Sequence, residues 1–246
     1  MQVSRGSAVA VAGGAAVAAV LGWIAIRPTE PRPVAAGSPA VRAPAVVPEP
    51  TRTQRVRTVN GRRQPPVVRA PESASGRYRT VPGGDPAPRG PGRTVRYLVE
   101  VERGLPFDPE EFAAAVHATL TDPRGWGERF QRVARGPVEI RVSLSSPALA
   151  RSRCLPLDVG LSLSCWQHGR AVINADRWGS GAPSYGRDLA TYREYVISHE
   201  VGHGLGHGHT TCPRRGAPAP VMVQQTKSLY GCRPNPWPHR TARIDR

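Results

Sequence analysis

The sequence has few of the residues that usually fill a large protein core. Aromatic residues make up 6% of its 246 positions, and phenylalanine occurs only three times. One hydrophobic core that extends through the whole chain is therefore excluded, because the bulky apolar side chains to fill it are missing. Proline (27 residues) and glycine (26 residues) exceed average usage, so part of the chain must hold more than its share of both.

Cysteine and lysine are also scarce. Four cysteines are too few for a disulfide-dense toxin. Lys227 is the only lysine, so arginine supplies nearly all of the 34 basic side chains, which face 18 acidic ones. This bias is typical of a GC-rich coding sequence. The arginines of the proline-rich part are not interleaved with aromatic residues, as they are in nucleic-acid-binding segments, and we expect no nucleic-acid partner.

Residues 1–27 are interpreted as an N-terminal signal-anchor, or transmembrane, segment. Positions 6–26 carry no charge and lie between Arg5 and Arg27. About 20 apolar residues are enough to cross a bilayer. A cleaved secretory signal is the alternative, and a buried helix is a third interpretation. The first two place the rest of the chain outside the cytoplasm, either on the cell membrane as a single-pass protein or secreted.

Residues 28–92 are predicted to form a disordered linker. They contain 14 prolines and many arginines, and Tyr78 is their only aromatic residue. Such a segment cannot by itself bury enough apolar surface to offset its chain entropy. Its proline spacing favours an extended spacer with polyproline II character. An inert spacer and a basic stalk that contacts a polyanionic cell wall both remain open.

Residues 93–246 are predicted to form one α/β domain with a mixed sheet. Apolar patterns in this segment alternate between strand-like and helical periods. They predict strands at Val95–Val101, Val138–Leu144 and within Cys165–Asp176, and helices at Asp108–Leu120 and Tyr192–Leu205. Asp108 and Pro109 form a typical helix start. The last part of the domain is rich in loops.

The four cysteines of this domain suggest two disulfides in an exported protein, for which three pairings are possible. Neighbours in sequence favour Cys154–Cys165 and Cys212–Cys232. A metal site made of all four cysteines is the rival interpretation, but their spacing fits no zinc ribbon.

The segment 198–209, SHEVGHGLGHGH, carries the clearest chemistry. His199 and His203 are four positions apart, so on a helix their rings lie one turn apart on one face and can reach a single ion. Glu200 follows the first histidine, where its carboxylate can hydrogen-bond a bound water without being a ligand. This is the HExxH arrangement, in which the glutamate is the general base.

A third ligand must come from beyond this helix. Gly206 can adopt a positive φ, end the helix and reverse the chain, which would bring His209 to the ion. His207 is the competitor, because it would continue the face of His203 if the helix did not stop. A carboxylate is nearly unavailable, since Asp245 is the only acidic residue after the motif. His209 is therefore favoured.

Read in full, the motif is HExxHxxGxxH, which resembles that of the metzincin zinc peptidases. The resemblance implies that Zn²⁺ is bound by three histidines, that one glutamate is the base, and that a methionine turn lies beneath the metal. These residues are His199, His203, His209, Glu200 and Met222 respectively. The chain also resembles an uncharacterised actinobacterial extracellular family with the same helix, a Cys-Pro loop, a Val-Met segment and Leu229-Tyr230-Gly231-Cys232.

The resemblance further implies a twisted mixed sheet whose edge strand binds extended substrate. We assign that edge to the 165–176 region by analogy. Several metzincins place a tyrosine two residues after the turn methionine, where this chain has Gln224. Tyr230 is the nearest later tyrosine and a candidate proton donor.

Two classes of function follow. The first is a zinc-dependent endopeptidase (a metalloprotease) that hydrolyses extracellular or cell-envelope proteins with a water activated by Glu200; cleavage of a peptidoglycan amide is a variant. The second is a non-catalytic cell-envelope binding module that retains the zinc site as a scaffold. A protein or peptide substrate and the membrane are the expected partners. The sequence does not specify the substrate.

Overall fold

A computed structural model describes residues 57–238, which form an α/β fold around a twisted mixed sheet. The strands are β1 (Thr58–Val59), β2 (Arg62–Arg63), β3 (Tyr78–Thr80), β4 (Thr94–Glu102), β5 (Arg129–Arg132), β6 (Ile140–Ser145), β7 (Cys165–Gln167) and β8 (Arg170–Asn174). The helices are α1 (Pro109–Leu120), α2 (Pro147–Arg153), α3 (Ala175–Ser180) and α4 (Leu189–Gly204), with a short 3-10 helix at Pro183–Tyr185. The predicted α/β class with a mixed sheet is confirmed.

Six strands form the main sheet, and β1 and β2 form a separate hairpin. The order is β3-β4-β6-β8-β7. The strands β5 and β3 share one edge of β4: β5 pairs with the first residues of β4, and β3 pairs with its last residues. The pairs of β4 with β5, β4 with β6 and β6 with β8 are parallel, whereas β3 and β7 are antiparallel to their neighbours. The predicted strand region at 165–176 is thus a hairpin followed by the first turn of α3, and β7 is an edge strand.

The main core lies between one face of this sheet and the helices α1 and α4. Every second residue of β4 from Val95 to Val101 faces the core, as a period of two requires. The predicted start of α1 is confirmed, because the Asp108 side chain accepts the Glu111 N–H at 2.8 Å. The predicted apolar stripe of this helix is buried in the same core: Phe112, Val116 and Leu120.

The prediction of a disordered linker over 28–92 is wrong for its described part, residues 57–92. Within this part β3 pairs with the end of β4, and Val81 is 1% exposed in the main core. Residues 57–92 belong to the same compact unit as the rest of the described chain, so the fold begins before residue 93. The composition argument failed because it considered what the segment could bury alone. Instead, Val81 is buried in the core of the whole domain, and Ala70 packs against that core. Residues 28–56 lie outside the described part.

The first described residues form hydrogen bonds with the beginning of α4. Gln64 is buried and accepts the Ala190 N–H at 2.9 Å, while its amide donates to the Asp188 carboxylate at 3.2 Å. Asp188 caps α4 by accepting the Thr191 N–H. Arg62 adds two hydrogen bonds to Glu194, at 2.9 and 2.6 Å. We call residues 57–64 the N-terminal clasp.

Both predicted disulfides are confirmed. Cys154–Cys165 joins the end of α2 to the beginning of β7, and Cys212–Cys232 closes the loop that follows α4. In the chain-entropy view, loops of this size stabilise a fold by about 3 kcal/mol each.

The predicted membrane segment, residues 1–27, lies outside the described residues. Within 57–238 no helix combines the length and apolar character that a membrane crossing needs.

Candidate metal centre

The last turns of α4 carry the first three residues of the sequence motif. His199 and Glu200 are each 5% exposed, and His203 is partly exposed one turn later. The ring centroids of the two histidines lie 4.9 Å apart, which is the one-face geometry that the four-residue spacing predicts.

Each of these two imidazoles is oriented by a backbone carbonyl. The Nδ1–H of His199 donates to the Val221 carbonyl at 2.8 Å, and the Nδ1–H of His203 donates to the His207 carbonyl at 2.8 Å. Because a carbonyl only accepts, the proton must be on Nδ1 and the lone pair on Nε2. Metal-binding histidines usually have this arrangement: one ring nitrogen binds the metal, and the N–H of the other donates to a second group.

The chain reverses after α4, as the glycine in the motif predicts. The helix ends at Gly204, and Gly206 has a φ of +91°, which is costly for any residue with a side chain. The Thr210 N–H then donates to the Met222 carbonyl at 3.1 Å, which fixes the return of the chain next to His209.

The reversal brings the third imidazole to the other two. The Nε2 atoms of His203 and His209 lie 3.1 Å apart, and the rings of His199 and His209 are 5.3 Å apart. The three histidines offer ligand nitrogens that are all within 4.8 Å of one another. Two ligands at the zinc–histidine distance in a tetrahedral site are separated by about 3.3 Å. The donor set is therefore a candidate site for a metal ion.

Burial keeps these histidines neutral, which is the form that binds a metal. Burial lowers the pKa of His199 to about 3, and it is also the largest cause of the lowered pKa values of His203 and His209. Burial alone raises the pKa of Glu200 to about 8. A carboxyl group with this pKa is well suited to accept and return a proton near neutral pH.

His207, the competing ligand, is not brought to the cluster. Its ring stacks on Trp126 with centroids 4.3 Å apart, and the Trp126 indole N–H donates to the Ser198 carbonyl of α4 at 3.0 Å. His207 contributes its backbone carbonyl, which orients His203.

Met222 lies in a tight turn whose backbone contacts His199 and Thr210. The Val223 N–H donates to the Pro220 carbonyl at 3.0 Å and closes this turn, which we call the Met222 turn (residues 220–223). The Met222 side chain is 5% exposed and belongs to the main core. A Cβ on Gly202 of α4 would lie 2.7 Å from its sulfur atom. The turn therefore packs directly against the helix that carries the histidines.

Two glycines inside the motif are packing positions that sequence reasoning missed. The added Cβ of Gly202 would also overlap the Trp126 ring, and that of Gly204 would lie 2.7 Å from the Trp166 ring. Trp126 and Trp166 are both distant in sequence from α4. The spacing of the histidines gave no signal for them.

A buried polar group that supports the Met222 turn was also missed. The Tyr195 hydroxyl donates to the Val223 carbonyl at 3.0 Å and accepts the Gln225 N–H at 2.8 Å. Gln225 is fully buried, and its amide donates to the Pro220 carbonyl at 3.3 Å and to the Asn235 carbonyl at 2.8 Å. The turn is thus fixed from both sides.

The cluster opens into a cavity of about 390 Å³. One wall is mostly apolar and comes from β7 and from the loop that the Cys154–Cys165 disulfide closes. Its residues are Leu157, Asp158, Val159, Leu163 and Trp166. The rest of the lining comes from the chain just after the Met222 turn and contains Gln224, Thr226 and Lys227. Leu157 of the apolar wall is exposed, as are Leu155 and Leu161, which lie near it in sequence.

The remaining candidates are not part of the histidine cluster. Tyr230 is 60% exposed and is not among the residues that line the cavity. Cys154, Cys165, Cys212 and Cys232 are all in disulfides, so within residues 57–238 no thiol is free to bind a metal.

Comparison with known families gives one match. The family described as "Protein of unknown function (DUF3152)" matches residues 64–233, which is more than half of the chain. The matched range begins at Gln64, in the N-terminal clasp, and includes the three histidines and the Met222 turn. No curated protein matches the chain.

Proposed function

This chain belongs to the DUF3152 family, and we propose that it is a zinc-dependent endopeptidase of the metzincin type. The single observation that carries the proposal is the convergence of three neutral imidazoles beside a buried carboxyl group in an open cavity. The metzincin-like details of the fold are part of this proposal. They comprise the active-site helix, the reversal at Gly206, the Met222 turn and the loop-rich C-terminal part.

The ligand count favours catalysis over a structural role. His199, His203 and His209 would hold the ion, and structural zinc sites usually have four protein ligands. Within residues 57–238 no other histidine, cysteine or carboxylate joins this group. The cavity also gives a substrate access to the open side of the cluster. These features favour a peptidase over a binding module that keeps zinc only as a scaffold.

Zinc bound here would supply Lewis acidity, which lowers the pKa of water to about 7 and polarises a carbonyl oxygen. Glu200 accepts the proton of the attacking water and then delivers it to the nitrogen of the leaving amine. The Val221 and His207 carbonyls keep the two helical imidazoles oriented throughout.

The edge strand β7 provides a place for the substrate backbone. β7 pairs only with β8 in the described sheet, so its outer side has free N–H and C=O groups. Trp166 of β7 lines the cavity beside the histidines. An extended peptide that pairs with this edge would pass along the cluster, which is the β-augmentation mode of recognition.

We further propose that the protein acts outside the cytoplasm on cell-envelope or extracellular proteins. Two disulfides support an oxidising compartment. The uncharged segment at 6–26 supports a membrane anchor or a secretory signal. The proposed substrates are accordingly proteins or peptides, and contact with the cell wall would fall to residues 28–56, where four arginines face two glutamates.

The test combines zinc content with cleavage of a broad peptide library. We expect the wild-type protein to bind one zinc ion and to cleave peptides. The Glu200→Gln variant should keep the zinc and lose about 10²- to 10⁴-fold in kcat/KM, the usual contribution of a general base. A chelator should abolish cleavage, and added zinc should restore it.

Two outcomes would contradict the proposal. Equal cleavage by wild type and Glu200→Gln would mean that a contaminant is responsible. Zinc binding without cleavage of any peptide, envelope protein or peptidoglycan fragment would favour the scaffold function.

A further inference from the structure

Lys227 is the only lysine of the chain, and it lines the cavity beside the candidate metal centre. All other basic side chains among the 34 are arginines. An ammonium group is a compact charge with three rotatable donors, so it can follow a carboxylate that approaches from several directions.

The backbone at Lys227 is fixed although its side chain is exposed. The Lys227 N–H donates to the Gln224 carbonyl at 3.0 Å, and between these two residues Gln225 is anchored by its buried hydrogen bonds. The Thr226 hydroxyl lies 3.2 Å from the buried Tyr192 hydroxyl. The ammonium group therefore extends from a rigid turn directly after the Met222 turn.

Within residues 57–238 no carboxylate lies within ion-pair distance of the Lys227 ammonium; the ion pairs found there involve only arginines. The cavity has two acidic side chains. Glu200 is buried, and Asp158 uses one oxygen to accept the Gly160 N–H at 3.1 Å. The positive charge at the cavity wall is thus free for a ligand.

We propose that Lys227 selects peptide substrates that carry a carboxylate close to the bond to be cleaved. This inference rests on the proposed peptidase function and specifies its substrate class. The carboxylate can belong to an internal glutamate or aspartate or to the C-terminus of a short peptide. Leu157 and Leu163, which line the same cavity, would accept an apolar side chain, so the expected substrate is amphipathic.

The test uses the zinc-loaded full-length chain and matched peptides that differ at one position, glutamate against glutamine. One series scans this position along peptides with amidated C-termini. A second series lacks acidic side chains and compares free with amidated C-termini. The kcat/KM ratio within each pair measures the preference for a carboxylate and distinguishes its two sources.

We expect one position, or the free C-terminus, to raise kcat/KM by about three- to fivefold, the size of an exposed ion pair. Lys227→Gln should reduce this ratio to about one, whereas Lys227→Arg should preserve most of it. Asp158→Asn, which removes the other exposed charge of the cavity, should leave the preference in place. High salt should weaken the preference because the charges are exposed.

Binding of the same peptides to zinc-loaded Glu200→Gln, with and without Lys227→Gln, separates this inference from the proposed function. A carboxylate preference in Kd that needs Lys227 supports the inference even if the wild type cleaves nothing. Cleavage with no carboxylate preference, or with a preference that survives Lys227→Gln, overturns the inference and leaves the peptidase function standing.

Discussion

At the scale of single residues, the three histidines of the cluster are held in different ways. His199 and His203 are fixed by α4 and by carbonyls that accept their Nδ1–H groups. His209 depends on the reversal at Gly206 and on the hydrogen bond between Thr210 and Met222. His209 is thus positioned by the backbone around it.

The two histidines after the helix give the first mutational prediction. His209→Ala should lower zinc affinity by more than 10-fold, because second-sphere changes alone already cost about 10- to 100-fold and this change removes a ligand. His207→Ala should bind zinc nearly as well as wild type. Its backbone carbonyl remains to orient His203, and only the ring that stacks on Trp126 is lost.

Isothermal titration with zinc measures both variants in the same buffer, with circular dichroism as the check that each is folded. If His207→Ala lost its zinc and His209→Ala kept it, the ligand set proposed here would be wrong.

At the scale of elements, the residues of α4 are constrained by the side chains that pack on the helix as well as by the histidine cluster. Met222 and the Trp126 ring approach its backbone so closely at Gly202 that no side chain fits there. The same turn supplies the Val221 carbonyl to His199. The Met222 turn therefore both packs on α4 and orients the His199 ring.

This coupling predicts a large effect of one methyl group. Gly202→Ala would force its Cβ against the Met222 sulfur and the Trp126 ring, and overpacking of this kind costs about 1–3 kcal/mol. The variant should be less stable to denaturant and should bind zinc more weakly, because the Met222 turn has to shift. Gly208→Ala is the matched control, since nothing lies within 4 Å of the added Cβ. Equal stability of the two variants would show that the contact at Gly202 is unimportant.

The elements that the sequence predicts well are those whose signal is local. The Asp108-Pro109 helix start and the alternation from Val95 are confirmed because capping and strand periodicity depend on adjacent residues. The end of α4 before Gly206 follows from one glycine in the same way. Gln225 and Trp126 could not be predicted as supports of the site. Their partners are distant in sequence, and only the tertiary structure brings them together.

At the scale of the whole molecule, the fold begins earlier than composition indicates. Residues 57–92 contain few aromatic side chains, yet they supply β3 at one side of the main sheet and the clasp on α4. Their prolines are tolerated because most of the segment runs between short strands rather than through a helix or a central strand. A low-complexity composition predicts disorder only for a segment that has nothing to pack against.

The clasp gives the final prediction, which concerns where the domain can be shortened. A chain that begins at residue 65 loses the hydrogen bond of Gln64 to Asp188 and the ion pair of Arg62 with Glu194. A buried hydrogen bond to a charged group contributes about 1.5–3 kcal/mol, and an exposed ion pair contributes only about 0.2–1 kcal/mol. This shortened chain should still fold, but with a lower Tm than a chain that begins at residue 57. A chain that begins at residue 93 also loses β3 and the buried Val81, and it should not unfold cooperatively. Thermal unfolding followed by circular dichroism compares the three proteins. Equal Tm values for the starts at 57 and 93 would mean that the preceding segment contributes nothing to the fold, despite its contacts with the sheet and with the helix that carries the site.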